Sequence, residues 1–410
     1  MTSRGTAASP RMAKKSAPAA RLCGIDAARG LALLGMMATH LLPTFESDAR
    51  LTPTWIGLTF SGRAAALFAV LAGIGLALST GRQAPLEGSS LWAARRGIAL
   101  RALVIAAVGL MIGGLEVNVA VILANYAALF LCVLPFIGLR LKPLCAWAGG
   151  WILGSPVLAY LLRPWLMASE PPLHLAHNPE WEDLGTPAQL LGDIFFTGYY
   201  PVFQWLSYLL VGLVIGRLAL TTAVLPVLLL AGGAAVAVIA KFLSTVMMDG
   251  WGGKAALEAM LGPGYALDSR LQVNLAGIRQ EGSWWWLASS APHSGTTLDL
   301  LHTSAVAAAV VGACLLLGRL GEWLNLNLLL PLRGSGAMTL TLYTAHVCVV
   351  ALLYRKPLPQ GWTEEGMYSA HAATAIVIGL IFVLLKWRGP LEWLGHAASQ
   401  LGKYRSSRVS

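Results

Sequence analysis

Ten apolar blocks, most of them close to 20 residues long, dominate the chain: roughly 27–45, 55–79, 98–115, 117–138, 144–166, 199–217, 223–245, 298–318, 328–353 and 367–386. About 20 apolar residues in a helix cross the hydrocarbon layer of a bilayer. Within that layer the backbone has to satisfy its own hydrogen bonds, which leaves helices as the fitting element for blocks of this length. The pattern predicts an all-α fold, a polytopic membrane bundle of about ten transmembrane helices. Only 12% of the 410 residues are charged, about half the share of an ordinary soluble chain.

The formal charge of +10 raises the question of a nucleic-acid partner. Its distribution points elsewhere. With the first helix entering from the cytoplasm, 20 of the 29 Lys and Arg fall on cytoplasmic segments. Acids such as Glu46, Asp48, Glu170, Glu180, Glu182, Asp183, Glu364 and Glu365 fall on the other side. This positive-inside pattern places both termini in the cytoplasm and attributes the basicity to topology, with no nucleic-acid partner. Small residues at 16–20 precede the first apolar run, which fits a signal anchor better than a cleaved leader. Residues 1–24 read as a disordered basic tail, 25–390 as the membrane domain and 391–410 as a second basic tail. Outside loops are expected at about 167–198 and 246–297. The second contains Trp284, Trp285 and Trp286, which suit an interfacial belt better than a sugar-stacking platform. Five cysteines without paired spacing read as small core residues, and no metal site is expected.

Ionisable groups inside a membrane helix cost several kcal/mol each, so they mark candidate chemistry. In Arg21–Phe45, RLCGIDAARGLALLGMMATHLLPTF, Asp26 and Arg29 are i,i+3 neighbours. His40 lies eleven residues after Arg29, three turns and about 20° round the helix, so the two share a stripe about 16 Å long. The alternative is a structural interfacial ion pair with an outward-snorkelling histidine. Arg63 lies within the second block and needs a carboxylate partner or an acyl carbonyl. Asn125 and Tyr126 interrupt the fourth block, Asp299 and His302 repeat the i,i+3 spacing at the start of the eighth, and Tyr343 and His346 do so in the ninth. His293, Asp299 and His302 also offer metal-ligand types, a reading not adopted; His174 and His177 read as solvent-facing loop residues.

IDAARGLALLGMMATH, with its Arg-x10-His spacing, resembles the first helix of transmembrane acyltransferases. The Asp-x-x-Arg-Gly opening is similar to that of the heparan-alpha-glucosaminide N-acetyltransferase-like and YeiB-like families, and the spacing to that of the acyltransferase-3 family. FTGYYPVFQWLSYLLVGLVIGRL (196–218) and PLRGSGAMTLTLYTAH (331–346) resemble further segments of that superfamily. The resemblance implies an acyltransferase that takes an acyl group, acetyl above all, from cytoplasmic acyl-CoA to an extracytoplasmic hydroxyl or amine, such as a glycan or another small molecule. His40 would be its general base or acyl carrier, with Asp299 orienting His302. Arg29, Asp26, Arg63, Asn125, Tyr126, Tyr343 and His346 would line the donor path, with Arg95 and Arg96 among the cations available to the CoA phosphates. The implied partners are acyl-CoA, the acceptor and the lipid bilayer, with a homodimer left open. The competing function is a transporter or flippase without covalent chemistry. Ala-, Gly- and Leu-rich composition with many tryptophans fits a high-GC bacterial genome and an inner (plasma) membrane location.

Overall fold

The computed structural model describes residues 22–48, 50–262, 265–354 and 361–404. The expected N-terminal tail falls almost wholly outside them. The regular elements among the described residues are all helices, with no strand beyond one isolated bridge between Phe45 and Pro53. In chain order the first eight helices are α1 (Cys23–Leu41), α2 (Trp55–Phe60), α3 (Arg63–Ser79), α4 (Gly88–Gly113), α5 (Leu123–Cys132), α6 (Leu141–Met167), α7 (Pro187–Gly192) and α8 (Val202–Arg217). There follow α9 (Val224–Thr245), α10 (Gly253–Leu261), α11 (Leu267–Val273), α12 (Thr297–Trp323), α13 (Leu330–Ala337), α14 (Thr339–Tyr354), α15 (Glu364–Leu384) and α16 (Pro390–Tyr404).

Among the described residues six helices are long and apolar enough to cross a membrane, or up to eight with the bent pairs α7–α8 and α13–α14 each taken as one span. The expectation of ten counted the charged α1 and the fourth block, of which only the ten residues of α5 are regular helix. Outward faces of α6 and α9 carry exposed Leu153, Leu161, Trp165, Leu228, Val238 and Phe242. Such a surface has no place in water and suits acyl chains.

Lipid supplies no hydrophobic drive between helices, so close van der Waals packing through small residues has to do the work. α3 and α8 touch backbone to backbone: a Cβ on Gly73 would fall on the Leu209 carbonyl, and one on Gly212 on the Val70 carbonyl. α1, α13 and α15 form a second seam through Gly30, Gly336, Gly334 and Gly379. Arg217 closes the other end of α8. Its guanidinium donates to the carbonyls of Ala77 (3.2 Å), Thr80 (3.2 Å), Arg82 (2.6 Å) and Ile137, tying down the 77–82 turn.

The long loops are built rather than slack. Residues 246–296 enclose their own apolar core of Met248, Leu257, Leu267, Leu275, Ile278, Trp286, Ala288 and Ala291. Trp286 is fully buried there and donates to the Glu281 carbonyl at 3.1 Å, so it is no belt residue. Trp284 is exposed and packs on Tyr160 with ring centroids 4.7 Å apart. His174 and His177 do not simply face solvent: they bond Asp193 and Asp183, each at 2.8 Å. Asn178 pins this loop to the 114–122 connection through Val121 N–H (2.8 Å) and the Val119 carbonyl (2.9 Å). Residues 391–404, expected as a tail, continue α16. Its Gly402 lies against the backbone of Gly97 in α4, while Trp393, Leu394 and Leu401 stay exposed.

His293, at φ 62°, packs against Trp205 and Tyr200. Burial pushes its pKa down from 6.5 to about 4, with the Arg63 charge adding to that and a hydrogen bond from the ring to the Tyr199 backbone carbonyl opposing it. The unfolded chain therefore binds this proton more readily. The His293 contribution to stability is complete above about pH 6.5 and is lost as the pH falls towards 4, about 2 kcal/mol being gone at pH 5. Asn tolerates the left-handed backbone. His293→Asn is expected to flatten the fall in thermal midpoint between pH 7.5 and 5.0; an unchanged slope would contradict the assignment.

Candidate functional site

The helix arithmetic for α1 holds. Arg29 Nη1 lies 2.9 Å from Asp26 Oδ1, and Arg29 and His40 occupy the same stripe three turns apart. Asp26 is buried. α13 covers the pair because Gly30 and Gly336 leave room for its backbone: a Cβ on Gly336 would fall on the Asp26 carbonyl oxygen.

Arg29 forms part of the wall of a cavity of about 240 Å³, shared with Arg101, Phe68, Tyr126, Leu340 and Tyr343. A larger cavity of about 780 Å³ opens at the Arg-rich end of the bundle, between α4, α13, the end of α15 and α16. The two share Leu76, Ser79, Arg101, Ala337 and Glu392, so they form one passage. The outer part presents Arg333, Lys386, Arg388 and Lys403 besides Arg101. Burial, then the charges of Arg388, Lys403 and Arg101, push His396 in the same wall below its ordinary pKa. Glu392 is the carboxylate among the lining residues, and it is already committed. Its Oε1 accepts from the Leu340 N–H (2.6 Å) and the Thr341 N–H (3.2 Å), and its Oε2 from the Thr341 hydroxyl (2.6 Å). Those N–H groups are orphan donors at the start of α14, and a carboxylate there is favoured by the helix dipole.

At its inner end the passage reaches Met36 and Tyr343. Met36 lies one turn before His40 on α1, and the Tyr343 ring meets the His40 ring edge-on at 6.2 Å. His40 stacks on His346 with ring centroids 5.3 Å apart and Nδ1 3.1 Å from His346 Nε2. His371, on α15, stands perpendicular to His346 at 5.3 Å. Two nitrogens of this cluster, His346 Nδ1 and His371 Nε2, are buried without a hydrogen-bond partner. Unmet buried polar atoms of this kind point to a site that handles protons or holds a polar ligand.

Arg29, Tyr126 and Tyr343 thus line one passage, Asp26 is bonded to Arg29, and His40 and His346 lie just beyond its inner end, while the remaining expected residues fall elsewhere. Asn125 donates to the carbonyls of Tyr200 (3.1 Å) and Ile194 (3.4 Å), a helix-bonding role. Arg95 donates to the carbonyls of Leu134 (3.0 Å) and Pro135 (3.3 Å) and lies over the Trp92 ring. Arg96 is exposed. Neither arginine lines the passage, because α4 turns that face outwards. Arg63 stands at the opposite end of α3, bonded to the Ser61 carbonyl at 3.3 Å.

Asp299 does not orient His302. Its carboxylate accepts from the Gly295 N–H (3.0 Å) and the Thr303 hydroxyl (3.0 Å), whereas His302 Nδ1 lies 2.9 Å from the Ala237 carbonyl on α9. Among the described residues the group of three ligand-type side chains lying within 4.8 Å of one another is His177, Glu180 and Asp183, not His293, Asp299 and His302.

Sequence reasoning missed His371, Arg388, Lys403 and Glu392. For the last two a signal existed: LEWLGHAASQLGKY has helical periodicity, which a reading as a basic tail overlooked.

Residues 21–243, more than half of the chain, match the family described as heparan-alpha-glucosaminide N-acetyltransferase, catalytic. No curated protein matches the chain. The chain belongs to that family of membrane acetyltransferases.

Proposed function

We propose that this member of the family transfers an acetyl group from acetyl-CoA, bound in the passage at the Arg-rich, cytoplasmic end, to a hydroxyl or amine on the far side of the membrane, with His40 as general base. The observation that carries the reading is the continuity of the passage. It runs from five lysine and arginine side chains past the Asp26–Arg29 pair and ends one helical turn from His40. CoA has phosphates at one end and a thioester at the end of a long flexible arm. The cations suit the phosphates, and the arm is about as long as the 16 Å stripe from Arg29 to His40.

With His40 Nδ1–H donating to His346 Nε2, the lone pair of His40 Nε2 is the one left to take a proton. His346 then plays the orienting part that a carboxylate plays in a triad. The acceptor N–H or O–H gives its proton to His40 Nε2 as its heteroatom attacks the thioester carbonyl. The C–S bond breaks, and His40 returns the proton to the departing CoA thiolate. A stoichiometric burst of CoA release without acceptor would instead make His40 the acyl carrier.

The test is turnover of labelled acetyl-CoA by the purified protein with hydroxyl and amine acceptors. If no acceptor elicits CoA release while protein-bearing vesicles move a solute, the enzyme reading fails and the transporter reading replaces it. The donor mouth has its own signature. Arg388→Gln and Arg333→Gln are each expected to raise the KM for acetyl-CoA about tenfold, the weight of one charge-assisted hydrogen bond, with kcat little changed. Arg29→Ala should raise the donor KM more than it alters acceptor use. Arg95→Gln and Arg96→Gln should stay within about twofold, because Arg95 is held by carbonyls and Trp92 while Arg96 lies outside the passage. Equal effects at Arg333, Arg388, Arg95 and Arg96 would exclude the passage as the donor site.

A further inference from the structure

We propose that a second cavity, at the opposite end of the bundle, binds a small hydroxylated carboxylate. It encloses about 380 Å³ between the start of α3, the end of α9, α10–α11 and residues 289–290, and shares no lining residue with the donor passage. Two cations face it, half-buried Arg63 and Lys241 at the rim. They lie close enough to repel each other. Among the described residues neither has a carboxylate within 4 Å; the charges of Asp299 and Asp249 reach them only through space. Asp299 is meanwhile held by Gly295 and Thr303. The third cation, Lys254, is already neutralised by Asp268 at 2.5 Å.

The second observation is independent of charge. Ser290 is 2% exposed, lines the cavity, and its Oγ has no hydrogen-bond partner. Its own N–H donates to Ser244 Oγ at 2.8 Å, which holds the residue in place. A buried hydroxyl without a partner beside two unpaired cations asks for an acceptor that carries negative charge. Asp249 in the same wall sets a limit. It repels a second negative charge and accepts from a ligand hydroxyl, so a monoanion bearing hydroxyls fits better than a dianion.

Titration calorimetry on the full-length protein in a nonionic detergent tests the proposal with gluconate, its neutral counterpart sorbitol, and inorganic phosphate. Gluconate should saturate, and sorbitol should bind at least about tenfold more weakly, the weight of one charge-assisted contact. Lys241→Gln, at the rim and safe for folding, and Ser290→Ala should each weaken gluconate by about fivefold or more, with unchanged thermal midpoints. His40→Ala should bind gluconate as wild type does, so failure here and failure of the acetyl-transfer reading are separable. The proposal is overturned if gluconate does not saturate, if Lys241→Gln leaves its affinity unchanged, or if phosphate binds more tightly than gluconate.

Discussion

His40→Ala is expected to lower kcat for the proposed acetyl transfer by about a thousandfold, within the range for loss of a positioned acid–base group, while acetyl-CoA should still bind. The separation follows from placement. His40 is not part of the wall around Arg29 and Arg101; the passage stops at Met36 and Tyr343. Removing the imidazole therefore leaves the cations that line the passage in place. His346→Ala should cost less than His40→Ala, since it takes away only the partner of His40 Nδ1. The double variant should fall no further than His40→Ala alone, because groups acting as one unit are not additive. Steady-state kinetics with a donor-binding measurement on each variant checks this. A His40→Ala enzyme that turns over at the wild-type rate would exclude the base, and additive losses would exclude the pair.

Gly336→Val is expected to abolish the folded protein or lower its thermal midpoint by well over ten degrees. Overpacking a core costs about 1–3 kcal/mol where side chains yield. Here the added carbon would fall on the Asp26 carbonyl and close to the Gly30 amide, backbone that cannot rotate aside. α13 would have to lift off α1, releasing the wall that holds the Asp26–Arg29 pair and, beyond it, the Gly334–Gly379 contact with α15. Gly154→Val, on α6, is the control, since nothing lies within 4 Å of its Cβ position. Size-exclusion profile and melting in detergent distinguish the two. A monodisperse Gly336→Val protein with a wild-type midpoint would contradict the packing described for this seam.

What was legible in the sequence follows the range of each interaction. Helical periodicity and block length gave the all-α membrane bundle, because in lipid a helix is specified almost entirely by its own residues. The Asp26–Arg29 pair and the common stripe with His40 were legible for the same reason: both are properties of one helix. The partners of His40 were not. His346 lies 306 residues away and His371 is on yet another helix, so no spacing rule connects them. Asp299 and His302 illustrate the converse, a correct local spacing whose side chains bond to different neighbours. Arg95 and Arg96 had the expected charge but lie on the wrong helical face, which only the packing of α4 decides.

In the proposed reaction one passage brings the donor from the Arg-rich end to a base that acts on an acceptor from the other side. Sealed vesicles carrying the protein in a known orientation test it most directly. Labelled acetyl-CoA is supplied only at the Arg-rich face, acceptor only at the opposite face, and the label on the acceptor is followed. The expected result is label on the acceptor and free CoA on the donor side in equal amounts, with neither from His40→Ala. Label appearing on acceptor placed with the donor at the Arg-rich face, and none across the membrane, would contradict it.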